Sequence, residues 1–517
     1  MNDQHIIQRY LSDRIPERSG NTLVVRAEAH ELTDLFRTLI DALPFISMFA
    51  TDEYGSFSIR YVFGVPHENA FIVVLLPLSG TAFPSLAREF PCTALYERLC
   101  MTMFGLTAEG HPDPRTVTLH EENWPRDTYP MRTSFEWNTR VPMRGSGTYR
   151  FHEVSGEGIY EIPVGPVHAG IIEPGNFRFS VAGEEIIALE ARLGWVHKGT
   201  EKLFEHLAMS QHPALAEHVS GDSSFAHSLA YCQAIEVLTG TAVPERARYL
   251  RTVFGELERL TMHLFDIGNI CGNGTGFTFM ATQGFRMTEE LRRLSQRLAG
   301  NRFWRSINLP GGVTKDISAD DARQLTTFLG ALKEDFADMM NVADQSASLA
   351  NRLQGTGTLS RVVAQENHAT GVAARCVGIE KDVRVEYPYA AYDSLKPDVV
   401  TEQAGDVDAR VKVRVREVYE SIRLIVLALE RLPRGPLATT IRTLPSKGMA
   451  VGLTESWRGE IAYAVITDDQ GAIARVAVRD PSFVHWQLFP HMVGRDMVPD
   501  FPLINKSLNL SYTGNDL

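Results

Sequence analysis

The sequence is poor in cysteine, and its cysteines lie far apart. The five are Cys92, Cys100, Cys232, Cys271 and Cys376. No two of them are separated by only two residues, whereas zinc ribbons and iron–sulfur clusters usually take such close pairs as ligands. The spacing therefore predicts neither kind of metal site. A scattered, odd set is typical of reduced thiols that pack as small hydrophobic side chains.

Long apolar runs and a targeting sequence are also lacking. The longest apolar runs, such as residues 70–76 and 424–429, are far shorter than the roughly 20 residues that span a membrane. Residues 1–5 lack the basic start and the apolar stretch of a signal peptide. We therefore expect no transmembrane segment, and any attachment to a membrane should come through partner proteins.

Positive charge is in deficit. Lys and Arg number 51 against 63 Asp and Glu, which gives a net charge of −12. Proteins that hold nucleic acid through its phosphates need positive charge, so this balance speaks against a nucleic-acid partner. With 44% hydrophobic and 22% charged residues the composition is that of a globular protein, and 517 residues are too many for one core. Two or three domains are expected.

The first part of the chain, residues 1–125, predicts a small α+β domain. A helical period over 31–43 precedes two strand-like runs, 57–63 and 71–76, which are joined by a Pro-His-Glu-Asn turn. Residues 126–160 are rich in Pro, Gly, Arg and Ser and have no apolar period, which indicates a linker.

Long helices dominate the prediction for residues 161–517. The predicted elements are strand-like runs at 177–181 and 185–191, helices over 243–268, from Ser318 toward Leu349 and over 407–432, and a hairpin at 461–478. The predicted fold class is therefore α+β: a small N-terminal α+β domain, then a mainly helical domain with short antiparallel sheets.

A tight polar loop opens into a helix within residues 217–236. Apolar residues recur there at helical spacing: Phe225, Leu229, Cys232, Ile235 and Leu238. Asp222 or Ser223 can cap the helix start. Because a bent loop at a helix N-terminus presents side chains into a cleft, we expect the chemistry of the protein here.

Motifs in the first part resemble the 30-kDa subunit of respiratory complex I. They are, in order, Glu97-Arg98, Phe104-Gly-Leu, Gly110-His-Pro-Asp-Pro-Arg115, Trp124-Pro and Tyr129-Pro-Met-Arg132. The resemblance implies a docking module.

Residues 161–517 resemble the large subunit of nickel–iron hydrogenases and the 49-kDa subunit of complex I. The motifs include His197-Lys-Gly-Thr-Glu-Lys202, Phe225-Ala-His227 and Arg458-Gly. The fusion to a 30-kDa-like domain is similar to the large subunit of formate hydrogenlyase. The resemblance implies a helical core and a place in a multi-subunit, NADH dehydrogenase-like or hydrogenase-like oxidoreductase.

The metal ligands of that family are missing from this sequence. Its four cysteine positions fall on Ser220, Ser223, Ser511 and Gly514. Nickel and iron in such sites are held by deprotonated sulfur, and a neutral serine hydroxyl is a poor substitute. We therefore expect no metal bound by this chain and no hydrogenase reaction, as in the nickel-free, hydrogenase-related branch of the family.

The quinone pocket of complex I is incomplete as well. Its tyrosine falls at Gly221 and its histidine falls within the Glu-Pro-Gly of residues 173–175, so both hydrogen-bond partners of the headgroup are absent. Quinone reduction with other residues would use the loop near Phe277, Phe279 and Met280 as a wall, although core packing is a simpler role for these three.

Four residues are candidates for proton coupling: Glu201, Asp222, His227 and Arg458. Asp222 lies between two serines with His227 about one helical turn on, and the resemblance places Glu201 in a proton path and Arg458 beside the active site. Two plainer roles stay open, a helix cap for Asp222 and a satisfied core histidine for His227. Lys202 and His197 are the expected neighbours of Glu201.

The resulting hypothesis is a peripheral-arm subunit on the cytoplasmic side of the cell membrane. Its expected partners are membrane-embedded subunits and an iron–sulfur small subunit that holds a [4Fe–4S] cluster. The chain itself should bind no cofactor, with quinone a candidate ligand. A buried carboxylate near a basic group would couple electron arrival to proton movement or quinone reduction. The alternative is a catalytically inert scaffold that joins redox and membrane modules.

Overall fold

The computed structural model describes residues 4–11, 14–168, 172–494 and 496–517. Helices hold about 42% of the chain and strands in short sheets about 18%. This mixture confirms the predicted α+β class.

A five-stranded sheet forms the N-terminal part. Its strands are β1 (Glu17–Ser19), β2 (Thr22–Arg26), β3 (Phe45–Glu53), β4 (Ser56–Val65) and β5 (Ala70–Pro77), in the order β1-β2-β5-β4-β3. The β2–β5 pair is parallel and the other three pairs are antiparallel. The predicted hairpin is confirmed as β4 and β5. The predicted helix is confirmed as α1 (Leu32–Ile40), which packs Phe36 against the rings of Phe45 and Phe63.

Helix α2 (Ala94–Phe104) follows, flanked by the parallel pair β6 (Ala82–Pro84) and β7 (Thr107–Glu109). Gly105 ends α2 with φ +66°, and a Cβ at this position would lie 2.4 Å from the ring of Tyr129. Only glycine combines this left-handed backbone with so close a ring. Residues 126–158 form no helix or strand.

A three-stranded antiparallel sheet comes next. Its strands are β8 (Ile159–Val164), β9 (Asn176–Ala182) and β10 (Glu185–Arg192), with β9 in the centre. Both predicted strand runs are confirmed as β9 and β10. Phe177, Phe179 and Val181 alternate along β9 and are fully buried, as expected for one apolar face of a sheet.

The main helices of the C-terminal part have seven to 26 residues. They are α3 (Thr200–His206), α4 (Ser224–Leu238), α5 (Glu245–Gly268), α6 (Thr278–Ala299), α7 (Ala319–Asp344), α8 (Val407–Glu430) and α9 (Phe501–Leu508). A small pair, β11 (Asn308–Leu309) and β12 (Gly312–Val313), lies between α6 and α7. Helix α5 packs between α6 and α8, so charged side chains on more than one of its faces are removed from water.

The helix predicted from Ser318 toward Leu349 is right at its start and wrong at its end. Ser318 Oγ accepts the amide of Asp321 at 3.0 Å and caps α7 as expected. The helix ends at Asp344, because Ser346 Oγ accepts the amide of Leu349 at 3.3 Å and begins a new helix, Ala347–Leu353. Serine offers the backbone such a local partner and thereby favours a break.

The last sheet has one strand more than the predicted hairpin. The hairpin is confirmed as β14 (Glu460–Thr467) and β15 (Ile473–Arg479), and β13 (Met449–Glu455) pairs with β14 on its other side. Every residue of β13 is buried, because α4 covers one face of the sheet and the N-terminal sheet covers the other. A strand buried on both faces has no polar alternation to reveal it.

The N-terminal sheet is joined to this last sheet by a shared core. Phe71 and Val73 of β5 pack in one cluster with Val451 and Leu453 of β13. Asn21 adds a reciprocal link, since its Nδ2 donates to the Val451 carbonyl at 2.8 Å and its Oδ1 accepts the Val451 amide at 3.0 Å. The two parts are therefore fixed relative to each other.

Shorter helical segments complete the fold: Gln4–Ile6, Ile7–Leu11, Pro91–Thr93, Met209–Gln211, His212–Ala216, Asn269–Asn273, Arg361–Glu366, Gly371–Arg375, Val383–Glu386, Tyr392–Leu395, Pro481–His485, Phe489–Met492, Val498–Asp500 and Tyr512–Asp516. Within the four described ranges, none of the helices has the length and apolar character needed to cross a bilayer.

Candidate functional site

The polar loop before α4 is held differently from the prediction. Helix α4 begins at Ser224, and neither Asp222 nor Ser223 caps it with a side chain. Instead, Glu258 of α5 accepts the amides of Phe225 at 2.7 Å and Ala226 at 3.1 Å. The capping role expected for Asp222 is therefore wrong, because a buried carboxyl group from a neighbouring helix satisfies the free amides of the first turn.

Asp222 forms an ion pair with Arg458. Its Oδ2 lies 2.8 Å from Arg458 Nη2, and its Oδ1 lies 3.3 Å from Nη1. Arg458 is buried, whereas the Asp222 side chain is 30% exposed. Burial opposes the charge of Arg458, but the carboxylates of Asp222 and Asp480 outweigh it and raise the arginine pKa. The site thus has a buried cation and an anion that solvent can reach.

The structure brings the four former ligand positions together. Ser220 Oγ lies 2.8 Å from Asp222 Oδ1 and 2.9 Å from Ser511 Oγ, and Ser223 Oγ donates to Asp222 at 3.4 Å. Ser511 Oγ accepts the amide of Gly514 at 2.9 Å. Residues about 290 positions apart in sequence therefore share one hydrogen-bonded cluster.

Asp480 occupies the space beside the fourth position. A Cβ placed on Gly514 would lie 2.6 Å from Asp480 Cγ and 2.7 Å from its Oδ2. The positions therefore offer three hard hydroxyl oxygens, engaged with each other and with Asp222, and no side chain at the fourth. These donors do not fit a nickel–iron group, which needs soft thiolate sulfur.

His227 lies behind this cluster with both ring nitrogens engaged. Its Nε2 is 3.0 Å from Asp480 Oδ2, and its Nδ1 is 3.0 Å from the Tyr463 hydroxyl. Histidine and aspartate are both fully buried. Burial disfavours the Asp480 carboxylate, but His227, Arg458 and the side chain of Ser482 together hold the pKa of Asp480 well below its usual range.

Glu201 has different neighbours from those predicted. Its Oε2 pairs with Arg475 Nη2 of β15 at 2.8 Å, and its Oε1 accepts the amide of Val478 at 2.8 Å. Lys202 instead pairs with Glu205 at 2.9 Å, and His197 Nδ1 lies 2.7 Å from the Asp516 carbonyl. Successive residues of a helix point about 100° apart, so Glu201 faces β15 and Lys202 does not.

Two further acids of the site lie on α5. Asp266 Oδ1 accepts from Asn509 Nδ2 at 2.7 Å, and the Asn509 carbonyl accepts from Arg458 Nε at 2.7 Å. Burial raises the pKa of Asp266 to about 6 and that of Glu258 to about 8. Neither acid was predicted from the sequence. The one sequence signal for these two acids is the presence of charged residues among the leucines of a long helix. This pattern predicts that the charges are buried only when the neighbouring helices are known.

The positions that correspond to the quinone pocket carry other contacts. Gly221 is exposed, and a Cβ there would lie 3.1 Å from Arg305 Nη2. Glu173 Oε2 accepts the amide of Thr513 at 3.0 Å. Met280 is fully buried in the helical core, while Phe279 is 38% exposed.

The arrangement is suited to binding protons. Asp222 is open to solvent on one side, and hydrogen bonds through Arg458 and Asn509 lead from it to Asp266. Asp266 and Glu258 change charge near neutral pH. A change of charge beside Arg458 would therefore alter how many protons this group of side chains holds.

Two family models match the chain. The model described as respiratory-chain NADH dehydrogenase, 49 Kd subunit, matches residues 274–447 and 437–516. The model described as respiratory-chain NADH dehydrogenase, 30 Kd subunit, matches residues 25–141.

Individual proteins are similar over most of their length. Formate hydrogenlyase subunit 5 of Escherichia coli is 32% identical over 479 residues, which cover 91% of this chain and 84% of that protein. NADH-quinone oxidoreductase subunit 4 of Thermus thermophilus is 32% identical over 381 residues, 68% of this chain and 92% of that protein. A chain of the membrane-bound sulfane sulfur reductase, an archaeal respiratory membrane complex, superposes with a TM-score of 0.66 at 27% identity, over 70% of this chain and 99% of that one.

Proposed function

Because this chain belongs to the oxidoreductase-subunit family of the complex I 49-kDa and 30-kDa subunits and formate hydrogenlyase subunit 5, we propose that it is a nickel-free peripheral-arm subunit of a membrane-associated complex. Its role in this proposal is to couple electron transfer to proton movement. The serine hydroxyls and the glycine at the four cysteine positions support the absence of nickel.

Several partners are implied. The sequence offers no closely spaced cysteines for an iron–sulfur cluster, so a [4Fe–4S] cluster on a partner small subunit supplies the electron. Membrane-embedded subunits attach the complex, with this chain on the cytoplasmic side. The names of the relatives, which are subunits of hydrogenases and NADH-quinone oxidoreductases, support this assignment.

The observation that carries the proposal is the Asp222–Arg458 pair at the former metal position. Arg458 holds a positive charge in a buried place, and Asp222 compensates it while remaining in contact with solvent. Added negative charge at a neighbouring centre would favour protonation of nearby carboxyls. Asp266, which is hydrogen-bonded through Asn509 to Arg458, and Glu258 can take up such a proton.

Quinone reduction is less well supported as the use of this site. Gly221 offers no hydroxyl, and Glu173 is anchored to the amide of Thr513. Neither position therefore supplies the tyrosine or histidine donor that the family uses for the headgroup. We retain quinone as a candidate ligand only through side chains outside these two positions.

Proton uptake on reduction tests the proposal. The complex, isolated with its partners, is reduced stepwise in weak buffer while a pH indicator reports the protons taken up per electron. Asp222→Asn should lower this ratio at least twofold, because it removes the anion that balances Arg458. Asp393→Asn, which breaks an exposed ion pair with Arg248, is the matched control and should leave the ratio unchanged.

Two results would count against the proposal. An assembled Asp222→Asn complex with a wild-type ratio would favour the inert scaffold. Stoichiometric nickel, measured by plasma mass spectrometry on the same preparation, would contradict the nickel-free site.

A further inference from the structure

A second group of charged side chains is more deeply buried than Asp222. It connects α5, α8, the segments around Arg375 and Asp382, and the end of β13. We call it the buried carboxylate–arginine network, and it consists of Glu256, Arg259, Arg375, Asp382, Arg384, Glu417 and Glu455. Each of these residues is at most 3% exposed.

Glu417 of α8 lies at the centre of the network. Its Oε2 is 2.6 Å from Arg259 Nη2 and 2.8 Å from His263 Nε2, and its Oε1 is 2.7 Å from Arg375 Nη2. Burial disfavours this carboxylate, but the two arginines outweigh it and hold the pKa of Glu417 well below its usual range. Glu417 is therefore ionised at neutral pH.

Arg384 is shared by two other acids. Glu256 Oε1 lies 2.9 Å from Arg384 Nη1 and also accepts from the Tyr392 hydroxyl at 2.7 Å. Asp382 accepts from Arg384 Nε at 2.9 Å and from Nη2 at 2.7 Å. Despite burial, the arginines lower the pKa of both carboxyls.

Glu455 pairs with one arginine, whereas each of the other three carboxyls of the network pairs with two. Its Oε1 accepts from Arg375 Nη1 at 2.8 Å, and its Oε2 accepts the amide of Val383 at 3.2 Å. Arg375 also faces Glu417, so it does not serve Glu455 alone. Of the four carboxyls, Glu455 is the one whose negative charge is least compensated.

The charges of the network do not cancel. Four carboxyls face three guanidinium groups, and burial lowers the pKa of the adjoining His263 to about 4, so that it is neutral at pH 7. The neighbouring Glu460 pairs with Lys381 and Arg479, and Asp266 pairs with Arg414. Glu386 lies beside this group, and burial raises its pKa to about 7, so it is the competing site for a proton. Within the network itself one negative charge is left over in a buried place, where an uncompensated charge is very costly.

We propose that the buried carboxylate–arginine network binds one exchangeable proton and that Glu455 holds it. Protonation neutralises the surplus charge while leaving every arginine paired. In agreement with this charge count, burial and then Asp382 raise the pKa of Glu455 to about 7. The groups that face Glu455 are Arg375, Asp382, Arg259 and Glu386.

The proton site is close to the Asp222 cluster through one turn of chain. Glu455 ends β13, and Arg458 follows three residues later. Within this turn Ser456 Oγ accepts the amide of Arg458 at 3.2 Å, and the Ser456 carbonyl accepts from Arg259 Nη1 at 2.7 Å. Ser456 therefore connects Arg458 to Arg259 of the network, and the use of this connection in coupling rests on the proposed function.

Infrared difference spectroscopy on the full chain tests the proposal without electron transfer. Spectra are compared between about pH 5 and about pH 9, where a protonated carboxyl loses its C=O stretch on ionisation. We expect Glu455→Gln to lack the signal of one carboxyl relative to wild type. Glu420→Gln is the matched control, because Glu420 is also a buried carboxyl of α8 but accepts from Arg423 through both of its oxygens, at 2.7 and 2.6 Å, and its spectrum should equal that of wild type.

A second variant covers the case in which Glu455→Gln does not fold. Glu455→Asp keeps the carboxyl but changes its distance from Arg375, so the midpoint and frequency of the same signal should move. A wild-type signal in both variants would overturn the proposal, as would loss of that signal in Glu386→Gln in place of Glu455→Gln. If only the proposed function is wrong, the infrared signal of Glu455 would still be present, but the assembled complex would take up no proton on reduction.

Discussion

Replacing Gly514 by alanine tests whether Asp480 fills the fourth former ligand position. Gly514 lies in the short helix Tyr512–Asp516 and has no left-handed backbone. Replacing a glycine within a helix by alanine normally stabilises the folded protein by about 0.5–1 kcal/mol. Here the new Cβ would lie 2.6 Å from Asp480 Cγ, whereas carbon atoms pack at about 3.5–4.0 Å.

The overlap cannot be relieved easily. Asp480 is fully buried, and its two oxygens are held by His227 at 3.0 Å and by the amide of Ser482 at 2.7 Å. Overpacking of this kind costs about 1–3 kcal/mol. We therefore expect Gly514→Ala to lower the free energy of unfolding by about 1 kcal/mol, as the balance of overpacking against helix propensity.

Denaturant unfolding measures this effect, with Gly330→Ala as the control. Gly330 is an exposed glycine of α7, and a Cβ there would meet no atom within 4 Å, so this variant should be stabilised by about 0.5–1 kcal/mol. Adding Asp480→Ala to Gly514→Ala should recover part of the loss in a double-mutant cycle. The reasoning is refuted if Gly514→Ala gains as much stability as Gly330→Ala.

Two further variants probe the sheet interface and the cap of α4. Asn21→Ala should lower the free energy of unfolding by about 2–4 kcal/mol, because it leaves the buried amide and carbonyl of Val451 without partners; a change below the error of denaturant unfolding would contradict this. Glu258 has a pKa raised to about 8, so the folded state holds its proton more tightly than the unfolded state. The stability that protonated Glu258 contributes is therefore present at low pH and is lost as the pH rises from about 4.5 through about 8. Stability profiles of wild type and Glu258→Gln should diverge by about 4–5 kcal/mol over this range, and parallel profiles would show that Glu258 does not titrate there.

Much of the fold could be predicted because its signals are local. The apolar periods gave α1, α5 and α8 and the strands β4, β5, β9, β10, β14 and β15. The serine before α7 gave its start. Elements that depend on contacts between distant parts of the chain were missed or misplaced. Strand β13, for example, lacks polar alternation because one layer covers each of its faces.

The candidate site could be predicted only in part of its membership. The positions of Ser220, Ser223, Ser511 and Gly514 were found from motifs, and the structure brings them together. The partners of the charged residues could not be found in this way. Glu201 binds Arg475, 274 positions away in sequence, and periodicity carries no information about such a pair.

The sequence by itself determined that no cysteine stands at the four ligand positions, because the identity of a donor atom needs no geometry. Tertiary structure alone decided which charges are buried together: Asp222 with Arg458, Glu258 with the first turn of α4, and four carboxyls with three arginines around Glu417. The physical reason is that the charge state of an acid depends on its distance from other charges and from water, and both are fixed only when helices and sheets pack.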